Sequence, residues 1–207
     1  MKRRWAVLLL TLSVLSGIVA QARTNVPYAV DSEKSKLQIH VYKEGLFKAF
    51  GHDHLISASK ISGRVMFNQE MLEDSSVDLA VQASSLSVID PGESEKDRRQ
   101  VQNTMAGNDV LDEERFPDIR FTSTHVKQVN KTNDGWEVTL EGLLSLHGVE
   151  KPISLPLRVS AKNGELRAEG DTSLLQTDFG ITPIKVGGGS VKVKNKVRIR
   201  FDLVAEK

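Results

Sequence analysis

The sequence predicts an all-β fold: a single antiparallel β-barrel of about eight strands with one short surface helix. Three observations lead there. Nearly every stretch after Ala29 alternates apolar and polar residues with a period of two, which places residues i and i+2 on one face of a strand. The last stretch shows it best: Val191, Val193, Val197, Ile199, Phe201 and Leu203 share one parity, and Lys192, Lys194, Lys196, Arg198 and Arg200 hold the other. Short turn signals separate the ribbons, so neighbours in sequence pair as hairpins. Ribbons with one greasy face must curl or stack to bury it, and closure is preferred over a sandwich because it removes exposed edges.

The chain opens with a segment outside the fold. Lys2, Arg3 and Arg4 precede an apolar run from Trp5 to Ala20, and Ala20-Gln21-Ala22 supplies a small-x-small cleavage pattern. Residues 1–22 are read as a cleaved secretory signal peptide, and 23–207 as the domain. The alternative is an uncleaved anchor, but the run falls short of the ~20 residues that span a bilayer. Export to the periplasm or beyond follows from this reading.

Leu37, Ile39 and Val41 mark the first strand, and a break follows in which Gly45 and Gly51 bracket Leu46 to Phe50. Ile61, Gly63, Val65 and Phe67 align on a second strand, and Val77, Leu79, Val81 and Ala83 on a third, which Pro91-Gly92 closes. Ser94 to Met105 is the helix. Ser94 caps it, Glu95 and Asp97 suit its positive end, and Val101 and Met105 give it a thin apolar edge over one end of the barrel. Ile119 and Phe121 open the next strand. The Asn133-Asp134-Gly135 turn leads into Trp136, Val138, Leu140, Gly142, Leu144 and Leu146; Ile153 to Val159 and Leu166 to Leu174 flank the Asn163-Gly164 turn. An irregular stretch through Gly187-Gly188-Gly189 precedes the last ribbon.

Composition excludes several chemistries. With no cysteine, thiolate metal sites, redox thiols and cysteine nucleophiles are absent, and an exported chain must rely on its core rather than on disulfides. The 28 basic and 27 acidic residues nearly cancel, which gives no case for nucleic acid as a partner. The Gly-x-Ser-x-Gly elbow, the P-loop and the dinucleotide fingerprint are missing, so hydrolase, kinase and dehydrogenase readings lack support and no catalytic residue is assigned.

Three segments carry a resemblance: Leu144-Ser145-Leu146-His147-Gly148-Val149-Glu150-Lys151-Pro152-Ile153, Phe116-Pro117-Asp118-Ile119-Arg120-Phe121, and Thr177-Asp178-Phe179-Gly180-Ile181. In order and spacing they resemble the YceI family of exported, lipocalin-like lipid-binding proteins, across essentially the whole mature chain. The resemblance implies an extended antiparallel barrel whose elongated apolar cavity takes a polyisoprenoid or similar chain. Where the family carries arginine-aspartate followed by histidine and leucine, this chain has Asp97 to Gln102 without a histidine. Asp109-Val110-Leu111 stands in place of the family's paired phenylalanines.

The candidate ligand-facing residues are Ile61, Val65, Phe67, Val77, Leu79, Val81, Phe121, Trp136, Val138, Leu140 and Leu157, with Asp178 as a polar candidate near the mouth. The bound molecule would be an isoprenoid lipid, a quinone or a similar small apolar ligand, with no other cofactor required. The alternative is a metal- or haem-binding redox protein or enzyme. In Gly51-His52-Asp53-His54, His52 and His54 lie at strand spacing and can reach one zinc, copper or haem iron; Asp53 would orient a ring and His147 would be a third ligand. The plainer reading of these histidines is a turn bonded to backbone groups, and it is preferred. His147 would likewise hold a tight hairpin, Asp178 would bond loop amides, and His40 and His125 would face water or polar neighbours. The basic face of the last strand admits transient contact with anionic membrane, although an outward strand face is polar in any case. The oligomeric state is left open, a homodimer included.

Overall fold

The computed structural model describes residues 24–44, 53–186 and 191–207. The leader, the break that follows the first strand, and His52 lie outside the described residues. Alternation becomes strand along most of the described chain, and several strands run further than the pattern alone marks. In chain order they are β1 (Val26–Glu44), β2 (His54–Ala58), β3 (Ile61–Phe67), β4 (Ser76–Gln82), β5 (Leu86–Val88), helix α1 (Glu95–Ala106), β6 (Asp118–Lys131), β7 (Trp136–Leu146), β8 (Val149–Lys162), β9 (Glu165–Leu175), β10 (Lys185–Val186) and β11 (Val191–Glu206).

Every pairing is antiparallel. The sheet runs β10-β11-β9-β8-β7-β6-β4-β3-β1-β2-β5, and the ladder of β1 against β11 closes it. Eight of these strands (β1, β3, β4, β6, β7, β8, β9 and β11) form the closed barrel. The expected all-β barrel with one helix is therefore the observed architecture. The turns follow the sequence signals. Asn163 and Gly164 both have positive φ, 54° and 81°, as a two-residue type I′ hairpin demands, and His147-Gly148 does the same at 52° and 73°.

β1 begins at Val26 rather than Leu37 because a bulge breaks its alternation. Asp31 pairs with Val204 and Lys36 with Asp202, so five steps on one strand oppose two on the other. Val30 and Leu37, of opposite parity, both reach the interior as a result. Ser35 tethers the bulge: its Oγ accepts from Val204 N at 3.0 Å. A second departure lies after β4. Alternation would carry the strand through Ala83, but Ala83–Ser85 is a 3₁₀ turn, and the Ala83 N–H bonds Pro117 O at 2.8 Å. At this corner the β2–β5 pair continues the β3–β4 ladder as a flap, with β2 still paired to β1.

Helix α1 covers that flap. The Asp97 N–H donates to Ser94 Oγ, so the expected cap forms. Gln102 then supplies what a neighbouring strand would have given the open edge of β5: its Oε1 accepts from Val88 N and its Nε2 donates to Leu86 O, each at 2.9 Å. Met105 packs with Ile56, Ala58, Ile61, Leu86, Val88 and Leu111 beneath the helix, forming a core separate from that of the barrel body.

Outside the barrel, ion pairs lash β9 to β11. Arg198 forks onto Asp171 at 2.7 and 2.5 Å, Arg200 adds a bond at 2.9 Å, and Arg167 forks onto Asp202. The hydrogen bonds of Arg198, with those of Arg200, hold the Asp171 carboxyl at about 2, below its ordinary 3.8. A lowered folded value means the contribution is complete above the ordinary value and is lost as pH falls towards the folded one. Asp171→Asn should therefore cost stability at neutral pH, under about 1 kcal/mol for so exposed a cluster. The gap to wild type should close as pH falls from 3.8 to about 2, as read by urea unfolding at several pH values.

Candidate ligand-binding cavity

The inward parities of the barrel strands converge on an elongated internal cavity of about 320 Å³, a volume at the lower end of the range of small-molecule sites. Its wall is almost wholly apolar. Val77, Leu79 and Val81 of β4 face Val138, Leu140, Leu144 and Leu146 of β7 and Val197, Ile199, Phe201 and Leu203 of β11. Leu72 lies at one end, and Met105 and Leu111 under α1 at the other. From Val138 to Leu146 the lining covers roughly 27 Å of strand at ~3.4 Å per residue, or about 20 Å along the axis at the usual barrel tilt. A volume this small spread over that length is a tube, and a tube suits an extended chain better than a compact ring system.

Two glycines bring aromatic rings close to the wall. Phe121 and Phe201 lie over Gly142 and Gly170, where an added Cβ would come within 2.5 and 2.2 Å of a ring carbon. The rings narrow the tube without blocking it, because the backbone they cover has no side chain.

Of the apolar residues singled out in sequence, Ile61, Val65, Phe67, Val77, Leu79, Val81, Phe121, Val138, Leu140 and Leu157 line this cavity. Trp136 does not. It sits at the rim of the barrel body and packs edge-on to Phe67, with ring centroids 5.9 Å apart. Asp178 is exposed in a 3₁₀ turn (Gln176–Phe179), away from the lining. The loop amides assigned to it bond elsewhere: Gly180 N donates to Thr177 O and Ile181 N to Gln176 O. Period-two reasoning missed Val110, Leu111, Phe179 and Ile181, which reach the cavity from loops where no alternation exists to mark them.

Of the His52–His54 pair, only His54 falls among the described residues. His54 lies with Asp90 and Glu93, and the three have ligand atoms within 4.8 Å of one another. His147 is not in that group; its Nδ1 lies 3.3 Å from Phe179 O and its ring stands edge-on to Phe116, so it ties the hairpin to the Gln176–Phe179 turn instead of bridging backbone groups within it. Asp53 orients no ring in this cluster. Its Oδ1 accepts from Lys43 N at 2.9 Å, prolonging the β1–β2 ladder. Asp90 works the same way on the other side, accepting from Leu55 N at 2.5 Å and pairing with His54 Nδ1 at 2.7 Å. His125 is exposed beside Glu141, whereas His40 stacks on Tyr42 and its buried Nε2 has no partner among the described residues, contrary to expectation.

An eight-stranded antiparallel barrel closed around an apolar tube defines the class: a β-barrel with a binding-protein fold. The model of the YceI-like domain matches residues 28–205, and the chain belongs to that family. A UPF0312 protein of Pseudomonas fluorescens is 27% identical over 181 residues, covering 83% of this chain and 85% of its own length. A UPF0312 protein of Yersinia pestis is 28% identical over 162 residues, 75% of this chain and 76% of its own. Among solved structures, BcnA of Burkholderia cenocepacia superposes with a TM-score of 0.66 at 20% identity, over 84% of this chain and 98% of that one. A YCEI protein of Campylobacter jejuni does so at 0.56 and 15%, over 73% and 84%. At these identities the superpositions speak for the fold.

Asp90 anchors the flap through two hydrogen bonds while 5% of its side chain is exposed. Asp90→Ala should leave the Leu55 N–H without an acceptor and cost about 2–4 kcal/mol. Chemical denaturation of the variant against wild type checks this.

Proposed function

We propose that the protein is a non-catalytic carrier which, after export to the periplasm and removal of residues 1–22, holds one long apolar molecule inside the barrel. A polyisoprenoid, an isoprenoid quinone or a similar lipid fits this description. The observation that supports it best is the tube itself: about 320 Å³, lined by apolar side chains along the barrel and left unfilled by them. Burying about 300 Å² of apolar chain there contributes roughly 7 kcal/mol before the costs of ordering and association, enough for a specific but exchangeable ligand. Transport, storage and protection under stress are roles compatible with such a carrier.

A second reading rests on His54, Asp90 and Glu93 as ligands for a divalent cation. It ranks below the first because Asp90 already spends both carboxylate oxygens within the protein, one on Leu55 N and one on His54. Metal analysis of untagged protein, before and after incubation with zinc, decides it: near-stoichiometric metal supports this reading, and negligible occupancy rejects it.

For the carrier reading, native mass spectrometry of protein from a bacterial periplasm, with organic extraction, should return a discrete lipid mass. Leu140→Trp fills the middle of the tube. It should weaken binding of a fluorescent polyene at least tenfold while the far-ultraviolet spectrum stays that of a β-barrel. Unchanged affinity would show that the tube is not the site.

A further inference from the structure

The barrel wall is not continuous. The β8–β9 ladder runs from Lys162 and Glu165 to Leu157 and Gly170 and stops there. Beyond that point β8 pairs only with β7, down to Val149, and β9 pairs only with β11, up to Leu175. The cause is legible in the chain. In the β8–β9 ladder the even-numbered residues of β8 face β9 with their backbone groups, because the ladder to β7 stays in register past Pro152 and Pro156 although neither has an N–H to give. Pro156 is the first residue past the last β8–β9 pair, and Pro152 lies four residues beyond it on the same edge. Two missing donors on one edge leave β9 nothing regular to pair with.

The result is a window in the wall. The last ladder pair frames it on one side and the Gln176–Phe179 turn on the other, where Gly180 lies against Val149. Ile153 and Leu155 on one jamb and Thr172, Leu174 and Leu175 on the other line both the window and the cavity. Leu175 is 41% exposed, one of two large apolar side chains that stand out in this way among the described residues. Most of the few polar residues that reach the lining are accounted for elsewhere. Arg120 and Arg167 turn outward to Asp118 and Asp202. Thr172 and Gln176 are at the window.

One charge stands apart. Lys151 has the cavity-facing parity of Ile153, Leu155 and Leu157, yet it is exposed and has no ion-pair partner among the described residues. A lysine on an inward parity is explained if that parity opens to solvent, as it does at the window. Lys196, the register partner of Leu175, is exposed on the outer face, and Glu150, next to Lys151 in sequence, is exposed on the outer parity.

We propose that the β8–β9 window is the passage into the tube, and that Lys151 at its rim binds an anionic head group left outside while the apolar chain lies within. This rests on the carrier reading and narrows its ligand to a long-chain amphiphile bearing a carboxylate or a phosphate. The test is displacement of a neutral polyene alcohol from the purified full-length mature chain by farnesol, farnesyl monophosphate and palmitate. Wild type should prefer an anionic competitor over farnesol, and the phosphate and carboxylate arms identify the head group. Lys151→Gln should lower that anion's affinity about tenfold with farnesol unchanged, Lys151→Arg should restore it, and Lys96→Gln on α1 should have no effect. An anion preference that survives Lys151→Gln, or falls equally in Lys96→Gln, overturns the role of Lys151 and leaves the carrier reading standing. If the wild type takes up neither the polyene nor any competitor, the carrier reading itself fails.

Discussion

The pairing of the first strand with the last is the constraint on which the barrel depends. β1 and β11 form a ladder between residues near opposite ends of the described chain, from Ala29 with Glu206 to Glu44 with Lys192. Without it the remaining strands are a curled sheet with two long edges and an apolar face in contact with water. The sequence places its strongest alternation in β11, and the bulge in β1 lets its partner follow the same curve. The ion pairs from β11 to Asp171 and to Asp202's partner Arg167 reinforce the next seam on the outside, where salt and pH can modulate them.

A closed wall alone would collapse onto a filled core. Here the inward residues are mostly Val, Ile and Leu, too short to meet across the axis, and two phenylalanines lie flat over glycines instead of crossing it. Aromatic packing gathers at one end, where Tyr28, Phe67 and Trp136 meet, and the flap with α1 forms a second core at the other. The apolar side chains of the middle line the cavity wall without filling it.

Fold class, hairpins and helix were legible because each rests on local chemistry: period two, Asn-Gly turns, and a capped run with no glycine or proline. The inward faces were legible for the same reason. Trp136 shares the parity of Val138 but lies where the strand leaves the barrel body, and parity carries no information about height along the axis. The surroundings of His54 were not legible for a related reason. Proximity in sequence put His54 beside Asp53, whereas the flap brings it to Asp90 and Glu93, 36 and 39 positions away. Gln102 escaped notice because a side chain that stands in for a strand has no periodic signature.

An unpaired stretch of strand usually invites another strand, from a second copy or an unfolding neighbour, and so seeds aggregation. The β8 edge at the gap cannot easily do so, since Pro152 and Pro156 offer no donors to a stranger just as they offer none to β9. The gap can persist along that edge without growing sheet, and for a chain with no disulfide to fall back on, that immunity is written into two rings of one strand.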